Sequence, residues 1–274
     1  MFQDMSKDFD IKRIKRSNTS CSTGVGAHVH PFNEIFYLSS GECTSFIDHN
    51  IYKFGKGDLV IVPSGCLHRT TYNGKGMHER IVISFRNDAT EWIQNQTGKE
   101  LMENCMKPGV VNIPEKRRDY VVALLDKLLF ENDSPDELSP AFIKVGLIEL
   151  LLFIIRCKNY EENVIKEIDV DNRIIQEVAT YIYEHYADNL SLEYVADKFN
   201  LSRSYLSKKF KTATGFGFKE YIINVRIQNL LLETNKSITD IAFECGFNDS
   251  NYFGDAFRKA KGISPHKYRK NETF

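Results

Sequence analysis

Between residues 19 and 85 the apolar positions come in short runs broken by turn residues: EIFYLSSG, TSFIDHNIYKFGKG, DLVIVPSG, NGKG and RIVISF. Runs rich in β-branched and aromatic residues, with a turn signal every few positions, predict the strands of a small sandwich or barrel. From Pro114 onward the period changes. Apolar residues in Tyr120–Phe130 and Phe142–Ile155 recur at spacings of three and four, which predicts two amphipathic helices. The polar stretch KNYEENVIKEIDVDN, residues 158 to 172, then reads as a linker to a last all-helical segment.

That last segment repeats itself. SLEYVADKFNLSRSYLSKKFKTATGFGFKEY (191–221) aligns with SITDIAFECGFNDSNYFGDAFRKAKGISPHKY (237–268). Ser191 matches Ser237, Val195 matches Ile241, Ala196 matches Ala242 and Leu201 matches Phe247. After one inserted residue, Leu206 matches Phe253, Phe210 matches Phe257, Gly215 matches Gly262 and Tyr221 matches Tyr268.

Each copy has the order short helix, tight turn, second helix, which is the layout of a helix-turn-helix. Ser191 and Ser237 stand where N-caps belong, with Asp240 completing a capping-box pattern, and Ser202 and Asp249 are placed to cap the second helices. With Leu206 and Phe210 inward, the first copy turns Arg203, Ser204, Ser207, Lys208 and Lys211 outward. With Phe253 and Phe257 inward, the second turns out Ser250, Asn251, Gly254, Asp255 and Arg258. Short polar and cationic side chains on an exposed helix suit a major groove, where they reach base edges and phosphates. A charged stripe on one surface helix is ordinarily a solvated face. Two tandem copies with shared caps, small residues and inward aromatics make DNA binding the stronger reading.

Composition adds limits. A length of 274 residues with 42% hydrophobic content provides for two cores and excludes disorder. The formal net charge of −1 divides at residue 170 into 21 Lys+Arg against 24 Asp+Glu before it and 15 against 13 after it, that is −3 and +2. Any nucleic-acid site therefore depends on local placement of charge. Six scattered cysteines without a CxxC pair indicate neither a zinc ribbon nor a disulfide framework. The charged start MFQDMSKDFDIKRIKR resembles neither a signal peptide nor an anchor, and Val145–Ile155 is too short to span a bilayer, so a cytoplasmic protein is expected. No glycine-rich phosphate loop or nucleophile elbow is present. Trp92 is expected in packing, and His49 and His78 in turns.

One more motif carries chemistry. In HVHPFNE, residues 28 to 34, His28, His30 and Glu34 fall on one face of a strand, a geometry suited to ligands.

From about Asn172 to Tyr268 the chain resembles the DNA-binding domain of AraC/XylS-type transcription regulators. LEYVADKFNLSRSYLSKKFK, the joining helix KEYIINVRIQNLLLET and ITDIAFECGFNDSNYFGDAFRKAKGISPHKYR carry the resemblance. It implies that both second helices enter the major groove about one DNA turn apart. By position it implicates Ser204, Ser207 and Lys208, then Ser250, Asn251 and Asp255. HVHPFNEIFYLSSG and GDLVIVPSGCLH resemble the two cupin motifs, with His28, His30, Glu34 and Gly41, then Gly57, Pro63, Gly65 and His68 in register. The cupin resemblance implies either a metal held by the three histidines and Glu34, or an interior pocket in which these residues meet a small organic effector. The pocket, without a metal cofactor, is the expectation.

The expected protein is α+β in two domains. Residues 1–112 form a cupin-like β-barrel that senses a small molecule, a sugar being one class. Residues 113–158 form helices that make a homodimer, 159–172 a linker, and 173–270 an all-α double helix-turn-helix that binds promoter DNA and meets RNA polymerase. The competing class is a metal-dependent cupin enzyme fused to a DNA-binding module.

Overall fold

The structure is a computed structural model that describes residues 9–18, 28–86, 88–160, 168–261 and 264–272. The Trp92 side chain, Cys21 and most of the expected linker, residues 161–167, lie outside the described residues.

Eight strands form the N-terminal part: β1 (Phe9–Asn18), β2 (Asn33–Ser40), β3 (Glu42–Ile47), β4 (Asn50–Gly55), β5 (Asp58–Val62), β6 (His68–Asn73), β7 (Gly76–Phe85) and β8 (Gly109–Asn112). They make a five-stranded sheet of order β1-β7-β2-β5-β8 and a three-stranded sheet of order β4-β3-β6. Strand pairing is antiparallel throughout. The β-rich cupin-like domain is thus present as an open two-sheet sandwich rather than a closed barrel. Among the described residues the sheets are joined by one bridge, His28 to His68, where the chain entering β2 crosses from one sheet to the other.

Alternation sorts the side chains. Phe36, Leu38, Val60, Val62 and Val82 of the larger sheet meet Cys43, Ile47, Phe54 and Tyr72 of the smaller one. The opposite face of the larger sheet, with Ile11, Ile35, Tyr37, Leu59, Ile81 and Ile83, is covered by helices. This explains why DLVIV of β5 reads as an unbroken apolar run: both its faces are buried. The covering helices are α1 (Asp88–Thr97), α2 (Lys99–Met106), α3 (Glu115–Asp133) and α4 (Ser139–Tyr160). Gly146 lets α4 close on α3, since a Cβ there would sit 2.8 Å from Leu128.

His78 stands within β7 rather than in a turn, because the hairpin turn after β6 is completed by Gly74 and Lys75. Its buried ring donates from Nε2 to the Asn73 carbonyl at 2.9 Å. The ring also fills the space beside Gly41, whose φ of +89° and missing Cβ both require glycine.

The C-terminal part is all helix: α5 (Val170–Glu184), α6 (Leu192–Lys198), α7 (Arg203–Thr214), α8 (Phe218–Glu233), α9 (Ile238–Glu244), α10 (Ser250–Lys261) and α11 (Pro265–Glu272). One core holds α5 to α8 and a second holds α8 to α11. The first core also takes in Val29, Phe46, Ile51 and Leu67, so the smaller sheet rests on the first helical unit. Tyr221 Oη donates to the Asp48 carbonyl at 3.1 Å, and the Ile51 amide donates to Gln176 Oε1 at 2.9 Å across this junction.

Candidate DNA-binding face and effector site

Both repeats fold into helix-turn-helix units by the same local devices. Ser191, Ser202 and Ser237 accept from the backbone N–H groups of Tyr194, Tyr205 and Asp240, each capping its helix. Asp249 accepts from the Asn251 amide at 2.8 Å at the start of α10. Ala196 and Ala242 are fully buried where the paired helices approach, and Leu206, Phe210, Phe253 and Phe257 fill the two cores. Asn200 adopts a left-handed φ of 54° in the first tight turn, and Gly246 one of 86° in the second.

Outward, Arg203, Ser204, Ser207, Lys208 and Lys211 are exposed along α7; Asn251, Asp255 and Arg258 are exposed along α10, with Ser250 and Gly254 half-buried. Arg203 reaches Glu193 at 3.2 Å, and Asp255 lies 3.8 Å from Arg258. Lys208 has no ion pair among the described residues. Pattern reading missed Tyr205 and Lys209, which both hold Asp171 at the start of α5, at 3.0 and 2.8 Å. The Lys209 hydrogen bond, then that of Tyr205, lowers the Asp171 pKa. No local pattern announces this link, because 34 residues separate Asp171 from Tyr205.

The four cupin-motif residues come together, though not on one strand face as the spacing predicts: His28 and His30 lie in the irregular segment before β2, bridged at His28 to His68 of β6, and only Glu34 is on β2 itself. Ring centroids of His28 and His68 lie 4.2 Å apart and those of His30 and His68 4.7 Å apart. Candidate ligand atoms of the three histidines all fall within 4.8 Å of one another, and Glu34 Oε2 lies 3.7 Å from His30 Nε2. Nδ1 of His30 meets the Phe32 carbonyl at 2.8 Å, and Nδ1 of His68 meets the Cys66 carbonyl at 3.0 Å. Each carbonyl requires a proton on Nδ1, which leaves Nε2 as an acceptor in the neutral ring. Both Nε2 atoms are buried without a hydrogen bond among the described residues. Burial lowers the His30 pKa, Glu34 opposing it, and burial together with the neighbouring imidazoles pushes His68 well below its ordinary value.

Two imidazole lone pairs and a carboxylate converging in a buried place repel one another unless a cation or a donor stands between them. The residues fit a divalent transition metal. His28, His30, His68 and Glu34 would hold it, and the carbonyls on Nδ1 supply the outer partners that orient ligating imidazoles. Bound there, such an ion would polarise an oxygen of a small ligand. Cobalt(II) added to the metal-free chain is expected to bind at one equivalent with visible d–d absorption, and His68→Ala to abolish that absorption. A spectrum identical for both proteins would restrict these imidazoles to hydrogen bonding.

The turn that orients His68 also touches the helical part. Arg69, the next residue, donates from Nη1 to the Lys211 and Thr212 carbonyls at 3.2 and 2.9 Å, at the C-terminal end of α7. In the same turn, a Cβ on Gly65 would collide with the Tyr268 hydroxyl of α11. One five-residue turn, Pro63 to Leu67, with its neighbour Arg69, therefore meets both helix-turn-helix units.

Comparison with known proteins agrees with this division. A helix-turn-helix domain model matches residues 195–271 and a cupin domain model matches residues 22–83. The chain is 31% identical over 248 residues to the HTH-type transcriptional activator RhaS of Escherichia coli, covering 89% of this chain and 82% of that protein. It is 35% identical over 113 residues to an uncharacterized HTH-type transcriptional regulator in the cgkA 5'region of Pseudoalteromonas carrageenovora, covering 40% of this chain and 67% of that protein. Among solved structures it matches ToxT from Vibrio cholerae at 16% identity and a TM-score of 0.40, over 98% of this chain and all of the other. Both curated relatives are named as HTH-type transcriptional regulators. The chain belongs to the AraC/XylS-type family of DNA-binding transcription regulators, with an N-terminal cupin domain.

Proposed function

We propose that this regulator is a cytoplasmic, homodimeric activator that binds promoter DNA through α7 and α10, and that a small molecule in the cupin domain controls it. The observation that carries the reading is the shared turn: His68 faces the histidine site while Arg69 holds the end of α7. A ligand that draws on the His68 ring acts on the backbone that carries Arg69, and so biases the placement of the first helix-turn-helix unit. Residues 1–112 serve as the sensor, 113–158 as the dimerisation segment, 159–172 as the linker and 173–270 as the DNA-binding domain.

An apolar stripe along α4 supports dimerisation. Leu138, just before α4, and Phe142, Val145 and Leu152 within it are exposed at intervals of four, three and seven residues, the spacing of a coiled-coil seam. A monomer would leave this apolar stripe in water. The test is sedimentation of the full chain at micromolar concentration, with the dimer as the expected species.

A further inference from the structure

The inner face of the sandwich holds two cations that make no ion pair among the described residues. Arg80 and Arg16 are half-buried, their guanidinium carbons 5.8 and 5.5 Å from the centre of the Tyr72 ring, and Arg80 also stacks 5.1 Å from Phe36. Neither makes an ion pair or hydrogen bond among the described residues, and Arg80 Nε is buried without a partner. Two like charges beside one ring, removed in part from water, call for an anion. The aromatic rings fix the plane of the Arg80 fork, which suits a planar two-oxygen acceptor.

Strand register connects this place to the histidines. Arg80, Val82 and Ser84 point to the inner face of β7, paired with Leu38, Phe36 and Glu34 of β2. Ser84 Oγ is buried and without a hydrogen bond among the described residues. Arg80 and Ser84 thus share one face of β7 with Val82 between them, and Ser84 pairs with Glu34 beside the histidines, about 13 Å from Arg80 along four strand residues. Glu34 lies at the far end, against His30.

Building on the effector reading above, we propose that the small molecule is an anion: a hydroxylated acid whose carboxylate or phosphate sits on Arg80, with its hydroxyl groups toward Ser84 and the histidine site. A neutral sugar would leave the guanidinium pair uncompensated. The anionic end supplies the affinity and the hydroxyl end meets His68, whose strand leads to Arg69.

The test is calorimetric titration of the full chain, at constant ionic strength, with D-galacturonate, D-gluconate, 2-oxoglutarate and D-glucose 6-phosphate, beside neutral D-galactose, D-glucose and L-rhamnose. At least one anion is expected to bind, with Arg80→Gln weakening it about tenfold or more and Arg80→Lys by less, because lysine keeps the charge but loses the fork. Carboxylates binding where the phosphate does not, or the reverse, identifies the headgroup. Circular dichroism and DNA binding of each variant establish that it is folded. If Arg80→Gln does not fold, Arg80→Lys carries the test. A neutral sugar binding wild type and Arg80 variants alike overturns the anion assignment and leaves the effector site standing. Binding of none of the seven compounds overturns the anion assignment. Effector control itself fails if, in addition, operator affinity is the same for wild type and for His68→Ala.

Discussion

Replacing Val145 by glutamate is expected to convert the protein from dimer to monomer and to lower operator affinity about tenfold or more, a loss of about 1.4 kcal/mol for each tenfold step. Val145 is 56% exposed in the single chain, so the substitution removes no core contact, and glutamate is at least as good a helix former as valine. Its cost arises only if the stripe meets a copy of itself. In a two-fold interface each substitution counts twice, bringing a carboxylate from each subunit into the same apolar seam. Lys116→Glu, on an exposed site at the start of α3, is the control and should sediment as wild type. Val145→Glu sedimenting as a dimer would place the interface elsewhere.

The second large effect separates the two units. Lys208 is exposed, without an ion pair among the described residues, on the outward stripe of α7. A lysine there either donates to guanine O6 or N7 or neutralises a phosphate. Lys208→Ala should therefore weaken operator binding by about 1 to 3 kcal/mol if the contact is to a base. Asp255 offers a carboxylate to a polyanion, an unfavourable placement unless the charge is answered locally. Arg258 answers it at 3.8 Å, one helical turn on. The pair is exposed on both sides and contributes little to stability. Asp255→Ala should accordingly leave affinity equal or slightly raised and relax base preference in one part of the site. Titrations against a randomised operator measure both. A large loss for Asp255→Ala with Lys208→Ala unaffected would exchange the assignments of the two units.

Much of this was legible in the sequence, for identifiable reasons. The helix-turn-helix units announce themselves twice, and their caps and inward aromatics are local features that a periodic reading detects. The histidine site was legible as a set of residues in HVHPFNE, although His28 and His30 lie in the irregular segment before β2 and only Glu34 stands on the strand itself. The partners that orient His30 and His68 are backbone carbonyls, which no residue type reveals. Strand β1 went unread because Ile11 and Ile14 are three residues apart and so fall on opposite faces, one under the helices and one between the sheets. Its charged residues hide the period of two. Arg80 and Arg69 look like ordinary surface cations in sequence. Only the pairing of β7 with β2, and the packing of β6 against α7, give them roles. The junction between domains depends on contacts more than a hundred residues apart, such as Tyr221 with Asp48, and lies beyond any local pattern.

The central claim is that two tandem units read one DNA site. Selection of bound sequences from a random duplex library by the purified full chain, followed by hydroxyl-radical footprinting on the enriched site, tests it most directly. The account predicts an enriched motif with two protected segments about one helical turn apart on one face of the duplex for each subunit, the Lys208 and Asp255 variants each altering a different segment. No enrichment over the starting library, or a single protected segment per subunit, would contradict it.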